Sequence, residues 1–165
     1  MLRVSDLLGE WSETLGLSGQ EQKRWRAVGH LHDVLRDEEP AVLRDRVPPS
    51  RRDLPGPLLH GPAAAEALRV EGVLDGELLN AVAFHTVGSE SFGALGRCLY
   101  AADFLDPGRS FLPEWRESLR SRMPTELGAV VREIVRARVG ILLERDAPLL
   151  PQTVAFWNRL ARETP

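Results

Sequence analysis

The sequence predicts an all-α fold. Apolar residues recur at the three- and four-residue spacing of amphipathic helices along most of the 165 residues, and alternating strand patterns are absent. Capping residues and prolines also stand where these helices would begin or end. A chain of this length suits one domain, which we divide into a core of residues 1–112 and a helical extension, residues 113–165, packed on that core.

Two helices open the predicted bundle. The first spans residues 2–15 and ends at Gly16, a residue favoured just after helices. Residues 18–21, Ser-Gly-Gln-Glu, have the spacing of a capping box and open a second helix that continues to Leu35. After it comes a proline-rich loop, and further helices are predicted at residues 41–45 within that loop, 62–68, 75–85, 91–103, 114–122, 125–144 and 151–162. Three of these helices start at a typical first or capping residue, namely Pro62, Asp75 and Ser91.

Composition excludes several classes of partner. The net charge of −3 leaves no basic field to hold a nucleic-acid backbone. No run reaches the roughly 18 apolar residues of a membrane span, and no signal sequence is visible. The single cysteine, Cys98, cannot form an internal disulfide, and its apolar neighbours predict a buried, inert thiol. We therefore expect a cytoplasmic protein with neither a nucleic-acid nor a membrane partner.

Histidine and aspartate residues form an ordered series that predicts a metal site. Three of the four histidines, His32, His60 and His85, fall in this series, with Asp33 directly after the first and Asp103 at its end. A lone buried histidine is more often structural than a ligand, but a buried carboxylate without a partner is costly. A shared metal centre would provide a partner for all five side chains. Mixed imidazole and carboxylate ligands favour iron, manganese, zinc or cobalt over calcium or magnesium.

The predicted centre suggests a reaction at phosphate. If Asp33 bridges, the five ligands suffice for two ions, which could activate a hydroxide for in-line attack on a phosphoryl group. Ser89 and Ser91 lack the neighbouring base that a nucleophilic serine needs. His30 lies two residues before His32 and faces away from it on a helix, so we expect His30 to have a structural or surface role.

Five short motifs, spread over nearly the whole chain, are similar to those of a known family. They are Leu59–Gly61, His85–Gly88, Tyr100–Arg109, Leu150–Thr153 and Trp157–Asn158. Together with the ligand order His-Asp, His, His, Asp, they resemble the YqeK family of HD-type metal-dependent phosphohydrolases. The resemblance implies an HD-domain helical bundle with a C-terminal helical extension.

The resemblance also implies an activity and a set of site residues. Known members hydrolyse diadenosine tetraphosphate symmetrically to two ADP at an iron-containing centre. We therefore expect this reaction, one or two iron ions and a small-molecule nucleotide substrate. The implied metal ligands are His32, Asp33, His60, His85 and Asp103. The implied substrate-binding residues are Arg36, Thr86, Gly88 and Arg109, with both arginines contacting phosphate. The residues implied in catalysis are Asp33, Asp103 and Arg109.

One departure from the family pattern leaves alternatives open. The family carries a further histidine ligand on its first helix, whereas residues 1–29 here contain no histidine. Either the natural start lies upstream, or the site lacks this ligand, and a water or an acid such as Asp6 could then take its place. The chain could then be a catalytically impaired HD domain that binds a nucleotide or a protein partner. A phosphohydrolase of another nucleotide is a further alternative, and we expect a monomer or a homodimer.

Overall fold

The computed structural model describes residues 2–163. This part of the chain contains helices and no strand, which confirms the all-α prediction. The α-helices are α1 (Leu2–Thr14), α2 (Gly19–Leu31), α3 (Pro40–Arg46), α4 (His60–Val70), α5 (Gly76–Phe84), α6 (Ala94–Phe104), α7 (Pro113–Arg120), α8 (Leu127–Glu144) and α9 (Pro151–Arg162). Two short 3₁₀ turns, Pro49–Arg51 and Gly56–Leu58, lie between α3 and α4. Among the described helices, none combines the length and the apolar character needed to traverse a bilayer.

The first two helices pack closely against each other. The hydroxyl of Ser18 accepts a hydrogen bond from the amide of Glu21 at 3.3 Å, which confirms the predicted cap of α2. Gly16 precedes this cap at φ +66°, a conformation that glycine adopts without strain. Gly29 of α2 lies so close to Ser5 of α1 that a Cβ atom would stand 2.5 Å from the Ser5 Cα. A side chain at this position would therefore push the two helices apart.

Helix α6 lies at the centre of the fold. It contacts α1, α2, α5 and α8, and most of its residues are buried. Phe156 of α9 packs edge-on against Tyr100 of α6 and against Phe92, with ring centroids 5.3 Å apart in both pairs. Cys98 of α6 is fully buried, and burial raises the pKa of its thiol to about 12, as predicted for an inert cysteine. The C-terminal helices thus share a hydrophobic core with the N-terminal ones.

The second and fourth helices end or begin elsewhere than predicted. Helix α2 ends at Leu31 rather than Leu35, and the residues after it form turns. Helix α4 begins at His60 rather than Pro62, because a 3₁₀ turn leads almost directly into it. The His-Asp pair therefore follows α2 instead of lying inside it, and the next histidine opens a helix.

Two helix starts in the second half of the chain also differ from prediction. The predicted cap at Ser91 is wrong, because its hydroxyl pairs with that of Ser89 at 2.8 Å and Gly93 takes the capping position of α6. Helix α8 begins at Leu127 rather than at residue 125, since the chain makes turns over residues 121–126 after α7. The start of α6 is thus set by a hydrogen bond between neighbouring hydroxyls, and the start of α8 by the turns that precede it.

Candidate metal centre

Three histidine side chains are held by the same local geometry. His32 follows α2, His60 opens α4 and His85 follows α5. Each ring donates from Nδ1 to a backbone carbonyl three residues earlier at 2.8–2.9 Å, the acceptors being Gly29, Pro57 and Val82. Because a carbonyl oxygen can only accept, each Nδ1 carries a hydrogen and each Nε2 is available as a ligand. Such outer hydrogen bonds are typical of histidines that bind metals.

The three Nε2 atoms converge on the carboxylate of Asp33. Those of His60 and His85 lie 3.2 Å and 3.3 Å from Oδ1, and that of His32 lies 3.5 Å from Oδ2. The Nε2 atoms of His60 and His85 are 3.1 Å apart. Ligand atoms of His32, Asp33 and His85 all lie within 4.8 Å of one another, a separation that a common ion can span. The structure therefore brings four of the five predicted ligands together, and we call these four residues the His-Asp cluster.

The histidine Nε2 atoms and the Asp33 carboxylate oxygens of the His-Asp cluster carry lone pairs that can coordinate a metal ion. Burial alone would raise the pKa of Asp33. Hydrogen bonds from the rings of His32, His60 and His85, which form when Nε2 carries a proton, hold the pKa well below its usual range. Burial lowers the pKa of His85, which favours its neutral ring. Oδ1 of Asp33 is buried and has no hydrogen-bond donor among the described residues. Neutral imidazole nitrogens that face an ionised carboxylate repel it unless a cation lies between them. The donor set therefore fits a divalent transition metal.

Asp103, the fifth predicted ligand, lies at the edge of the His-Asp cluster. It is a buried residue of α6, and Arg109 donates from Nη2 to its Oδ1 at 2.5 Å and from Nε to its carbonyl at 2.9 Å. Burial would raise the pKa of Asp103, but the charge of Arg109 holds it below its usual value. Asp103 is thus ionised and already engaged by Arg109, and its coordination of a metal stays a prediction.

A cleft of about 850 Å³ opens beside the His-Asp cluster. Thr86 and Asp103 connect the two, because both line the cleft and both adjoin the cluster. Arg109, Arg116, Arg138 and Arg145 line the cleft, against two acids, Asp103 and Glu144, and much of the remaining wall is apolar. A concave, partly apolar site with a few convergent polar groups is typical of small-molecule binding. The excess of guanidinium groups favours a ligand that carries phosphates.

The other predicted substrate-binding residues surround the His-Asp cluster, with one exception. Arg36 is half exposed and donates from Nη1 to the cluster carboxylate at 2.7 Å. The Thr86 hydroxyl lies 3.2 Å from Nε2 of His85. Gly88, at φ +82°, faces Phe156 so closely that a Cβ atom would overlap the ring. Gly88 therefore shapes the turn after the histidine and meets the core, not the cleft.

Arg138 of α8 is a cleft residue that was not predicted from the sequence. Its Nη2 donates to the carbonyl of Thr86 at 2.7 Å, and its guanidinium lies 5.1 Å from the ring centroid of Tyr100. A signal for it exists in the sequence, since Arg138 follows Ile134 and Val135, both fully buried, by four and three residues. A cation within the apolar stripe of a helix indicates a buried polar site.

Arg116 of α7 is a second cleft residue that was not predicted from the sequence, and it lies close to other cationic side chains. Arg116 is buried. Burial is the main cause that lowers the pKa of its guanidinium, and the charges of Arg109 and Arg138 lower it further. Its Nη1 is buried without a hydrogen-bond partner among the described residues. Guanidinium groups that repel one another in this way would be stabilised by an anion bound between them.

The first helix supplies no residue to the His-Asp cluster within the described part of the chain. Asp6, the proposed replacement for a first-helix ligand, is exposed, and its Oδ1 lies 3.9 Å from Nη1 of Arg26. Arg3 instead donates from Nε to Asp106 at 2.6 Å and ties α1 to the segment after α6. His30 is exposed, which confirms its predicted surface position.

Fold and site together define a class of protein. A helical bundle in which buried imidazoles surround a carboxylate, beside an arginine-lined cleft, is suited to metal-dependent hydrolysis of phosphates. The family model of the HD domain matches residues 1–108. HD domains bind divalent metals, in agreement with the donor set found here. The chain therefore belongs to the HD-domain family, in its YqeK-type branch, and it is a phosphohydrolase.

Relatives of known name support this assignment. The chain is 30% identical over 156 residues to the symmetrical bis(5'-nucleosyl)-tetraphosphatase of Halalkalibacterium halodurans, covering 89% of this chain and 81% of that protein. It is 24% identical over 148 residues to the Bacillus subtilis protein of the same name, covering 86% and 78%. A crystal structure of a predicted HD superfamily hydrolase involved in NAD metabolism, from Clostridium acetobutylicum, has the same fold, with a TM-score of 0.83 and 23% identity. That match covers 98% of this chain and 87% of the other.

Proposed function

We propose that this protein hydrolyses diadenosine tetraphosphate symmetrically to two molecules of ADP. The observation that carries the proposal is the convergence of three imidazole Nε2 atoms on Asp33, directly beside a cleft lined by four arginines. An adjoining cation site and anion site suit a substrate whose scissile bond lies between phosphates. The names of the two relatives, at 24% and 30% identity, support the choice of this nucleotide.

The proposed metal site uses the predicted ligands, namely His32, Asp33, His60, His85 and Asp103. One or two ions are proposed, iron first, with manganese, zinc or cobalt as alternatives. When bound, such ions supply Lewis acidity and lower the pKa of coordinated water. If two ions are bound, Asp33 would serve both, because its Oδ1 lies near His60 and His85 and its Oδ2 lies near His32.

The arginines of the cleft are proposed to bind the phosphate chain. Arg109 and Arg138 reach the cleft from the segment after α6 and from α8, so they can hold different phosphates of one substrate. Arg36 stands at the cluster carboxylate and is proposed to contact the phosphate nearest the metal site. The hydroxyl of Thr86, beside His85, is a further hydrogen-bond donor for a phosphate oxygen. Gly88 contributes through the turn that positions Thr86.

The reaction adds one water molecule across the central P–O–P bridge of the substrate. Asp33 or Asp103, both ionised, accepts a hydrogen bond from the attacking water and so orients it, and the proton that the water loses passes to solvent. The water oxygen bonds to one central phosphorus, and the bridging oxygen leaves with the other phosphorus as the second ADP. Arg109 neutralises the negative charge that develops on the phosphates during this displacement. Cleavage at the centre yields ADP alone, without ATP or AMP.

The test is anaerobic turnover of diadenosine tetraphosphate with added ferrous or manganese ion, with the nucleotides separated by anion-exchange chromatography. ADP as the sole product supports the proposal if Asp33→Asn abolishes it. Asp45→Asn, an exposed aspartate of α3, serves as the matched control and should keep full activity. ATP with AMP as products would overturn symmetrical cleavage. Nucleotide binding without turnover would overturn the hydrolase in favour of a binding module.

Metal content provides a readout that does not depend on activity. Elemental analysis of the purified protein should find a transition metal, and His85→Ala should lower its occupancy because His85 is a buried member of the His-Asp cluster. Asp45→Asn should retain the occupancy of the unmodified protein. Equal metal content in all three proteins would overturn the proposed ligand set.

A further inference from the structure

The wall of the cleft contains three aromatic side chains, and one of them presents its ring to solvent. Tyr100 and Phe104 are buried, with guanidinium groups 5.1 Å and 4.2 Å from their ring centroids. Phe111, in contrast, is 57% exposed and does not pack against the hydrophobic core. An exposed aromatic ring inside a ligand-sized cleft offers a flat apolar surface to a bound molecule.

The backbone holds Phe111 in this exposed position. Nε of the buried Arg116 donates to the Phe111 carbonyl at 2.6 Å. The next residue, Leu112, has φ +48° and ψ 58°, a left-handed conformation that is uncommon for a residue with a side chain. Pro113 then begins α7. The exposure of the ring therefore results from a specific turn, anchored by an arginine of the same cleft.

The position of Phe111 relative to the cleft arginines suits a ligand with an anionic part and a planar part. Arg109 lies two residues before Phe111, Arg116 binds its carbonyl, and all three line the cleft. Phosphates held by these arginines would bring a planar group on the same ligand to the ring. A nucleoside diphosphate has this arrangement. Any nucleobase can stack on an aromatic ring, because every base has a flat π face.

We infer that Phe111 is the stacking surface for one nucleobase of the substrate. The inference rests on the proposed function for the nucleotide itself and names the residue that distinguishes a nucleotide from a bare polyphosphate. The cleft arginines interact with both ligands through phosphate, whereas the ring adds affinity only where a base is present.

The experiment compares the binding of ADP and of inorganic pyrophosphate to the metal-containing protein by isothermal titration calorimetry. We expect Phe111→Ala to weaken ADP binding about 5- to 100-fold, the range that base stacking on an aromatic ring provides. Phe111→Trp should retain ADP affinity, and pyrophosphate affinity should be unchanged in both variants. Leu143→Ala removes a similarly exposed apolar side chain of α8, 59% exposed and outside the cleft wall, and should leave ADP affinity unchanged.

Three outcomes would overturn the stacking role. The first is that Phe111→Ala binds ADP as tightly as the unmodified protein does, and the second is that this variant loses affinity for ADP and pyrophosphate equally. The third is that the unmodified protein does not prefer ADP over pyrophosphate. Turnover of diadenosine tetraphosphate is measured on the same samples. Turnover with ADP binding independent of Phe111 rejects the stacking alone, and binding that depends on Phe111 without turnover rejects the hydrolase alone.

Discussion

Arg109 is joined twice to Asp103, through Nη2 to the carboxylate at 2.5 Å and through Nε to the backbone carbonyl at 2.9 Å. The same guanidinium lines the cleft. One side chain therefore links an aspartate beside the candidate metal centre to the surface where phosphates are proposed to bind. This double contact fixes the plane of the guanidinium, because two N–H groups of one fork are held by one residue.

We expect Arg109→Lys to lower kcat/KM for diadenosine tetraphosphate about 10- to 100-fold. A lysine keeps the charge but cannot reproduce the forked hydrogen bonds, and a hydrogen bond to a charged group contributes about 1.5–3 kcal/mol. Steady-state kinetics would measure the loss. Arg122→Lys, in a pair with Glu126 and Glu133 on another surface, is the control. Loss of metal from the Arg109 variant would instead indicate that Arg109 acts through Asp103.

Arg138 and Arg136 provide a matched pair on one helix. Arg138 lines the cleft, whereas Arg136 lies 5.9 Å from the ring centroid of Trp157, away from the cleft wall. We expect Arg138→Met to raise KM for the nucleotide about tenfold, because a charge-assisted contact with phosphate is lost. Arg136→Met should change KM less than twofold, as expected for a surface substitution. A similar KM in both variants would show that Arg138 does not bind substrate.

Phe156 tests whether the C-terminal helices belong to the same folding unit as the core. It is fully buried and packs edge-on against Tyr100 and Phe92. We expect Phe156→Ala to lower the free energy of unfolding by about 3–5 kcal/mol, the usual cost of such a truncation. Trp157→Ala, at a partly buried neighbouring position, should cost less. Urea unfolding followed by circular dichroism should show one transition in each protein, and two transitions would contradict a single domain.

Asp75 is expected to make folding stability depend on pH in the acid range. Hydrogen bonds from Arg24, at 2.5 Å and 2.9 Å, lower the pKa of Asp75 from 3.8 to about 2 against the opposing effect of burial. Because the folded protein favours the ionised form, this contribution is fully present above pH 3.8 and is lost as the pH falls through about 2. With allowance for solvent screening, Asp75→Asn should lower the free energy of unfolding by about 1 kcal/mol at neutral pH.

Urea unfolding at several pH values would measure this contribution. The difference in free energy of unfolding between the unmodified protein and Asp75→Asn should be constant near neutral pH and shrink below pH 3.8. Asp45→Asn, at an exposed position, is the control and should change the free energy of unfolding by less than about 0.5 kcal/mol. A difference for Asp75→Asn that stays constant down to pH 2 would contradict the lowered pKa.

The helices and most of the proposed ligands could be predicted because their signals are local. The hydroxyl of Ser18 and the carboxylate of Asp75 each cap a helix by accepting a hydrogen bond from the backbone amide three residues later. Such contacts depend on nearby residues alone. The order of the histidines identified His32, His60 and His85 together without knowledge of their distances. Their shared Nδ1 contacts are also local, since each acceptor lies three residues earlier.

Only the tertiary structure decided how the cleft is built. Arg138 reaches Thr86 across 52 positions of the chain, and Gly88 meets Phe156 of α9 instead of the cleft. The ion pair of Arg109 with Asp103 and the exposure of Phe111 likewise depend on how the chain turns between α6 and α7. The sequence by itself determined the helical class and the residue types of the candidate ligands, because periodicity and residue chemistry are local properties. The wall of the cleft was decided by packing, because it is formed by helices distant in the chain.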